Sequence, residues 1–238
     1  MYYAIVDLLG NVIRQEELHQ QCVSCEDIAA LIQKLVDEEP RIQYLSLGIP
    51  GYNLNSKIES CSIKELEDQN LFELLKETFH MPVFIENDTN VVTYGSYAKH
   101  KDTLEDHSGF VAIASFQDLR LGAGVVLNDK IVHGYTNFAG EIFYLSHTKD
   151  EINSIVFPNL RESAIDLVSE ALKSYCVALN PSTVVLTGEE ISEDMLDIIR
   201  SRCLKNIPSK HMPQLIYEEN YIDSFVRGLT QIVFDETF

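Results

Sequence analysis

The chain has 238 residues, 45% of them hydrophobic, and 18 basic against 37 acidic side chains leave a net charge of −19. That length and apolar content allow one large core or two modest ones with a cleft between them, while the charge repels nucleic-acid phosphates and anionic membrane surfaces alike. No stretch approaches the roughly 18 consecutive apolar residues of a membrane span, and the start, MYYAIVDLLG, lacks the basic segment of a secretory signal, so a cytoplasmic protein is expected.

Tyr2 to Val6 reads as a strand, Asp7 to Asn11 as a turn and Val12-Ile13 as the start of a return strand, so the chain opens on a hairpin. Ser24 followed three residues later by Asp27 resembles a capping box, and Ile28, Leu31, Ile32 and Leu35 mark one helical face that stops before Pro40. Tyr44 to Ile49 is a short buried strand running into the Pro50-Gly51 turn. Leu71, Leu74, Leu75 and Phe79 predict a second helix, and Met81 to Ile85 a buried strand that ends on Glu86-Asn87-Asp88. Asn90 to Ala98 reads as helix. Strands follow at Gly109 to Ser115, Gly122 to Leu127 and Lys130 to Val132, the last two turned at Asn128-Asp129. Glu162 to Leu179 is a helix ending at Asn180-Pro181, Thr183 to Leu186 a strand, and Ser192 to Cys203 and Tyr221 to Asp235 are further helices. This alternation gives an α/β class with mixed sheets.

Five cysteines show no disulfide-framework spacing, and Cys22 and Cys25 form a lone C-x-x-C without a second pair or clustered His, so reduced structural thiols and no metal are expected. Glu86-Asn87-Asp88-Thr89-Asn90 places polar groups at a strand tip, where a carboxylate would take a proton from a sugar hydroxyl or hold it as an acceptor. The structural alternative is that Asp88 or Asn90 caps the following helix. Gly122 and Gly124 suit close backbone approach to a phosphate, or else tight packing. Glu141, after Ala139-Gly140, would grip two neighbouring sugar hydroxyls, or else lie on the surface after a loop.

In chain order, YAIVDLLGNVI, LGIPG, PVFIENDTN, LGAGVVLNDKIVHGYTNFAGEI and LNPSTVVLTGEEIS together resemble the ROK family of bacterial sugar kinases and sugar-responsive repressors, over nearly the whole chain. The resemblance implies an actin-like, ribonuclease-H-like two-lobed fold with sugar held between the lobes. It makes Asp88 the catalytic base in an active kinase and Asn87, Asp88 and Glu141 sugar ligands. Tyr144 stands where the family has a His, and either stacks on a sugar face or fills the gap. Gly122, Gly124 and Gly188 fall on the nucleotide side, and a homodimer is expected. The implied organisation is residues 1–105 as an N-terminal lobe lacking the family's first strand, 106–220 as a C-terminal lobe, and 221–238 as a helix packing back on the N-terminal lobe.

Departures from the family pattern concentrate on the nucleotide side. The first phosphate loop is expected to be lost with the first strand. The second glycine run is replaced by Gln117-Asp118-Leu119-Arg120-Leu121-Gly122-Ala123-Gly124, and the adenosine-side glycines by Thr187-Gly188-Glu189-Glu190. The zinc-binding cysteine run is missing, and Ser60-Cys61-Ser62 stands for the family's Pro-Asn pair. No helix-turn-helix precedes the family-like region, so direct nucleic-acid binding through this chain is not expected, and neither is a membrane partner. The reading that follows is a regulatory domain binding a small sugar or sugar phosphate without kinase activity, and without a cofactor or zinc. A sugar kinase using Mg-ATP with Asp88 as base is a second reading, and a degenerate dimeric interaction scaffold a third.

Overall fold

A computed structural model of the protein describes residues 1–20, 22–104, 109–116, 119–145 and 159–238. Strands β1 (Tyr2–Val6) and β2 (Val12–Glu17) form an antiparallel hairpin closed at the Asp7 turn, where the Asp7 carboxylate accepts from the Leu9 and Asn11 amides. Helix α1 (Cys25–Glu38) begins with the expected capping box: Ser24 Oγ accepts the Asp27 N–H, and the Asp27 carboxylate accepts the Ser24 N–H. β3 (Leu45–Ile49) pairs in parallel with β6 (Val83–Asn87), and the short hairpin of β4 (Tyr52–Leu54) and β5 (Lys57–Glu59) and helix α2 (Leu71–Phe79) lie between them in sequence. β6 extends through Asn87, two residues beyond the end expected from its apolar run. The ladder with β3 carries it on, pairing Gly48 with Glu86 and Ile49 with Asn87.

Helix α3 (Asp88–His100) follows without a loop. β7 (Phe110–Phe116), β8 (Arg120–Leu127) and β9 (Lys130–Ile131) form an antiparallel meander. After helix α4 (Leu160–Ala178), β10 (Thr183–Gly188) joins β7 in parallel, and β11 (Gln214–Glu218), beyond helix α5 (Leu196–Cys203), joins β10 in parallel. The resulting mixed sheet runs β11-β10-β7-β8-β9. Helix α6 (Tyr221–Thr237) ends the chain and packs on α3 and β3.

Three apolar clusters organise these elements. Val111, Ile113, Val184 and Leu186 send one face of the large sheet into α4 and α5, and Phe110, Ala112 and Val185 send the other into Tyr97 of α3. A third cluster joins α1 and α2 to the Leu45 and Ile49 face of β3. Helix α3 is therefore covered on every side, with Thr89 to Thr93 all buried, which explains why its sequence shows so little amphipathicity. It meets α6 through glycines: a Cβ on Gly95 would lie 1.7 Å from the Ser224 carbonyl oxygen, and one on Gly228 2.0 Å from that of Val91. Glu218, from a strand that the sequence pattern had not revealed, is buried against this crossing and accepts from Ser96 Oγ at 2.9 Å and Ser224 Oγ at 2.7 Å. It also pairs with His100 Nε2 at 2.7 Å and Lys99 Nζ at 3.5 Å.

The five cysteines are free thiols. No helix among the described residues is long and apolar enough to cross a membrane. The expected boundary at residues 105 and 106 lies outside the described residues, as does the region after Leu145 in which the family's zinc run would fall.

Candidate functional site

The junction of β6 and α3 forms the floor of the site. Asn87, in extended conformation, caps α3, its Oδ1 accepting from the Thr89 N–H at 2.9 Å and the Asn90 N–H at 3.1 Å, while its Nδ2 donates to the Gly51 carbonyl at 3.1 Å. The cap is thus Asn87, where the sequence left Asp88 or Asn90 as alternatives; the helix starts at Asp88, two residues before the expected Asn90, and the cap moves with it. With this role met by Asn87, the Asp88 carboxylate is left with short-range bonds from the Thr89 N–H at 2.7 Å and Thr89 Oγ1 at 3.2 Å. Burial, reinforced by the nearby charge of Glu141, outweighs those bonds and pushes the Asp88 pKa up to about 7.

Glu141 sits in a turn stitched to β8 by the Ala123 N–H donating to the Gly140 carbonyl at 3.0 Å. Gly140 has φ +102, and a Cβ there would lie 2.0 Å from the Ala123 carbonyl oxygen, so only glycine permits this approach. The Glu141 carboxylate accepts no hydrogen bond from the described residues, and burial raises its pKa to about 6. The structure therefore brings Asp88 and Glu141 together, two carboxyl groups held towards neutrality. Buried Asn90 Oδ1 also lacks a partner among the described residues.

The Tyr144 N–H donates to the Glu141 carbonyl at 3.2 Å, its hydroxyl lies 3.3 Å from Ser60 Oγ, and its ring packs on Phe138 at 5.1 Å, which in turn meets Tyr52 edge-on at 5.8 Å. An aromatic wall thus joins the β4–β5 hairpin to the Ala139-Gly140-Glu141 turn. Beside it is an open cavity of about 370 Å³ lined by asparagines at 53, 55, 87 and 137 with Glu86 and His133. Glu86 is the hinge of this arrangement; the sequence placed it at the strand tip without giving it a role. Its Oε1 accepts from the Asn87 N–H at 2.7 Å and Asn90 Nδ2 at 2.9 Å, and its Oε2 meets His133 Nε2 at 2.6 Å. That hydrogen bond raises the His133 pKa. Its position beside Asn87 was the available signal, since a carboxylate at a strand tip needs partners.

The expected nucleotide-side glycines make close packing contacts among the described residues. A Cβ on Gly122 would fall 2.3 Å from Thr89 Oγ1 and one on Gly124 2.2 Å from Thr93 Oγ1, so both let α3 press onto β8. Gly188 has φ +110 and abuts the Ser115 backbone. Next to it, Glu190 accepts from Ser115 Oγ at 2.6 Å and from the Leu119 N–H at 3.4 Å. Residues 117 and 118 of the divergent glycine run lie outside the described residues. A carboxylate of this chain thus occupies donors at the tip of β7 and β8, a setting that does not fit a triphosphate. Among the described residues no group of three or more His, Cys, Asp or Glu is placed to hold a metal ion.

Comparison with known proteins places these features in context. A xylose repressor of Bacillus spizizenii is 29% identical over 151 residues, covering 60% of this chain and 38% of the repressor, so the chain spans well under two thirds of that relative's length. The ROK hexokinase of Thermus thermophilus superposes with TM-score 0.71 at 17% identity, covering 94% of this chain and 93% of the enzyme. A ROK family transcriptional regulator, a homologue of the E. coli MLC protein, superposes with TM-score 0.70 at 14% identity, covering 98% of this chain and 76% of the regulator. These likenesses establish the actin-like α/β fold with mixed sheets. The ROK family profile matches residues 1–151, and the chain belongs to the ROK family.

Proposed function

We propose that this chain is a sugar-binding regulatory ROK domain without kinase activity, its ligand a small sugar or sugar phosphate held by Asp88 and Glu141 beside Tyr144. The observation that carries this reading is an asymmetry: two carboxyl groups stand ready for hydroxyls, with pKa values of about 7 and about 6, while Glu190 occupies the donors on the opposite, nucleotide side. Asn87 contributes through its cap, holding the strand-to-helix turn, and offers one remaining Nδ2 hydrogen to the cleft. Residues 1–105 and 106–220 act as the two lobes, with 221–238 returning to the first, and closure around the sugar is the signal read by a partner subunit in a cytoplasmic dimer. Xylose is the first ligand to test, because the relatives matched in sequence include xylose repressors. A net charge of −19 argues against this chain itself gripping DNA.

The raised Asp88 pKa favours one second reading, a sugar kinase with Asp88 as general base, since a base near neutrality is matched to proton abstraction at physiological pH. Thermal unfolding with xylose, glucose, their phosphates and Mg-ATP, combined with an ADP-release assay, separates the two. The regulatory reading expects stabilisation by one sugar or sugar phosphate, worth about 2.7 kcal/mol at a hundredfold excess over Kd, and none by Mg-ATP. Sugar-dependent ADP release would replace it with the kinase reading. A chain that no sugar stabilises would instead be the dimeric interaction scaffold.

A further inference from the structure

The cavity beside the aromatic wall has a lining that the proposed sugar seat does not use. Three separate segments build it: Asn53 and Asn55 from β4 and its turn, Ile85 to Asn87 from β6, and His133 and Asn137 from the loop after β9. Neither Asp88 nor Glu141 is among the lining residues, so its volume of about 370 Å³ is additional to the space at those carboxyl groups. Two of its lips nevertheless run straight into that pair. Asn87 is followed in the chain by Asp88. The loop from His133 closes on the Glu141 turn, the Ala139 N–H donating to the His133 carbonyl at 3.2 Å and the Glu141 N–H to the Phe138 carbonyl at 3.3 Å. A substituent on a sugar held by Asp88 and Glu141 thus has this cavity within reach.

The chemistry of the lining defines that substituent. Glu86 is the one acid and His133 the one base among the lining residues, and they bond to each other at 2.6 Å, so no spare cation is left for a phosphate or a carboxylate. What remains is carboxamide. Asn137 Nδ2 donates to the Asn53 carbonyl at 2.6 Å and ties two of the segments together, while Asn87 is engaged by its cap. The side chains of Asn53 and Asn55 make no hydrogen bond among the described residues, and each offers two donor hydrogens and an acceptor oxygen. Such groups match neighbouring hydroxyls, which also donate and accept. The volume falls within the range of about 300–1,000 Å³ typical of whole small-molecule sites, so a lone hydroxyl or hydroxymethyl group would leave most of it empty.

We infer that this cavity is a second subsite for a neutral sugar ring, so that the ligand is a disaccharide with one ring at Asp88 and Glu141 and the other at Asn53 and Asn55. The inference rests on the proposed sugar-binding role and narrows it, ranking a neutral disaccharide above both the free monosaccharide and the sugar phosphate. Asn53 and Asn55 are then the residues that set ligand length, while the carboxyl pair serves the first ring.

The test is isothermal titration calorimetry on the full chain, comparing xylose with xylobiose, glucose with maltose, cellobiose and sucrose, and both monosaccharides with their phosphates. One disaccharide should bind at least tenfold more tightly than its component monosaccharide and than either phosphate. Asn53→Ala combined with Asn55→Gly removes both free carboxamides, glycine being suited to the left-handed backbone at residue 55, where φ is +51. That variant should lose the tenfold gain and keep a monosaccharide Kd within twofold of the wild type. Should it fail to fold, Asn55→Gly alone must reduce the gain at least threefold. A disaccharide that binds no better than its monosaccharide, tighter binding of a phosphate, or a gain that survives the substitutions overturns the subsite. Monosaccharide binding without any disaccharide gain overturns the subsite alone, whereas absence of binding by every sugar overturns the regulatory reading as well.

Discussion

The strands of the two halves are similarly apolar and end up at very different depths. In the C-terminal half, β7 and β10 each have a hydrogen-bonded neighbour on both edges and a helix layer on both faces, and all of β10 and all but the last residue of β7 are buried. In the N-terminal half, β1 (YYAIV) and β3 (LSLGI) each have one neighbour among the described residues, and β1 is half-buried throughout while only the ends of β3 are buried. Composition does not decide depth here; the number of paired edges does. The halves should therefore differ in stability as well as in shape, because depth sets how much a lost methylene costs.

The largest effect should come from opposing truncations. Ile113→Ala, at a fully buried position of β7, should cost about 3–4 kcal/mol, whereas Leu47→Ala on half-buried β3 should cost about 1–2 kcal/mol. Urea unfolding of both variants measures the difference. Equal losses would mean that the N-terminal half is packed as fully as the other, and the contrast would break.

Next in size is Glu218, at the end of β11 where the large sheet meets the α3–α6 crossing. Burial works against its charge, and the bonds from Ser224 and Ser96, with Lys99 and His100 close by, overcome it and hold its pKa below the usual carboxylate value. A depressed folded pKa contributes stability that is present above the unfolded value of about 4.5 and is lost as pH falls through the folded one. Glu218→Gln should cost about 2–3 kcal/mol at pH 7 and remove that acid-side loss, as a urea series from pH 3 to pH 7 would show. A variant as stable as the wild type would mean that the crossing is held by its glycine contacts alone.

Asp88 carries the opposite sign. Its folded pKa of about 7 lies above the unfolded value of 3.8, so its contribution is fully present below about pH 4 and is lost as pH rises through about 7. Asp88→Asn should therefore be more stable than the wild type at pH 8, by about 1–2 kcal/mol after allowance for partial solvent access, and lose the advantage at pH 4. Thermal unfolding at the two pH values checks this. A destabilised variant at pH 8 would show that the carboxylate is satisfied in the free protein, and would remove one support of the proposed sugar-binding role.

How much of this was legible in the sequence depends on the range of the interaction. The capping box of Ser24 and Asp27, the Asp7 turn and the alternation of strands and helices are local, and they were read correctly. The END segment and the Ala139-Gly140-Glu141 turn were picked out because glycine and clustered polar residues mark backbone turns. Their mutual approach was supplied only by resemblance to a family. Pairings between residues far apart in sequence stayed hidden: Glu86 with His133, Glu190 with Ser115, and Glu218 with Ser96 and Ser224. β11 was missed because Gln214 to Glu218 carries a buried acid where a strand pattern wants an apolar residue. Gly122 and Gly124 read equally well as phosphate cradle or packing sites, and only the Thr89 and Thr93 side chains above them show which contact they make.

The smallest effect concerns the bond that joins the two halves beside the site. His133 and Glu86 meet at 2.6 Å, but the His133 side chain is 43% exposed, so the pair should be worth no more than about 0.5–1 kcal/mol. Because its hydrogen bond to Glu86 raises the His133 pKa, the contribution is complete below the unfolded value of about 6.5 and is lost as pH rises through the folded one. His133→Gln should thus unfold at a slightly lower temperature than the wild type at pH 6, with the gap closing by pH 9. A gap several times larger at pH 6 would mean that the Glu86 junction holds the site together as strongly as Glu218 holds the α3–α6 crossing. The half-buried N-terminal strands would then draw stability from the other half rather than from their own small sheets.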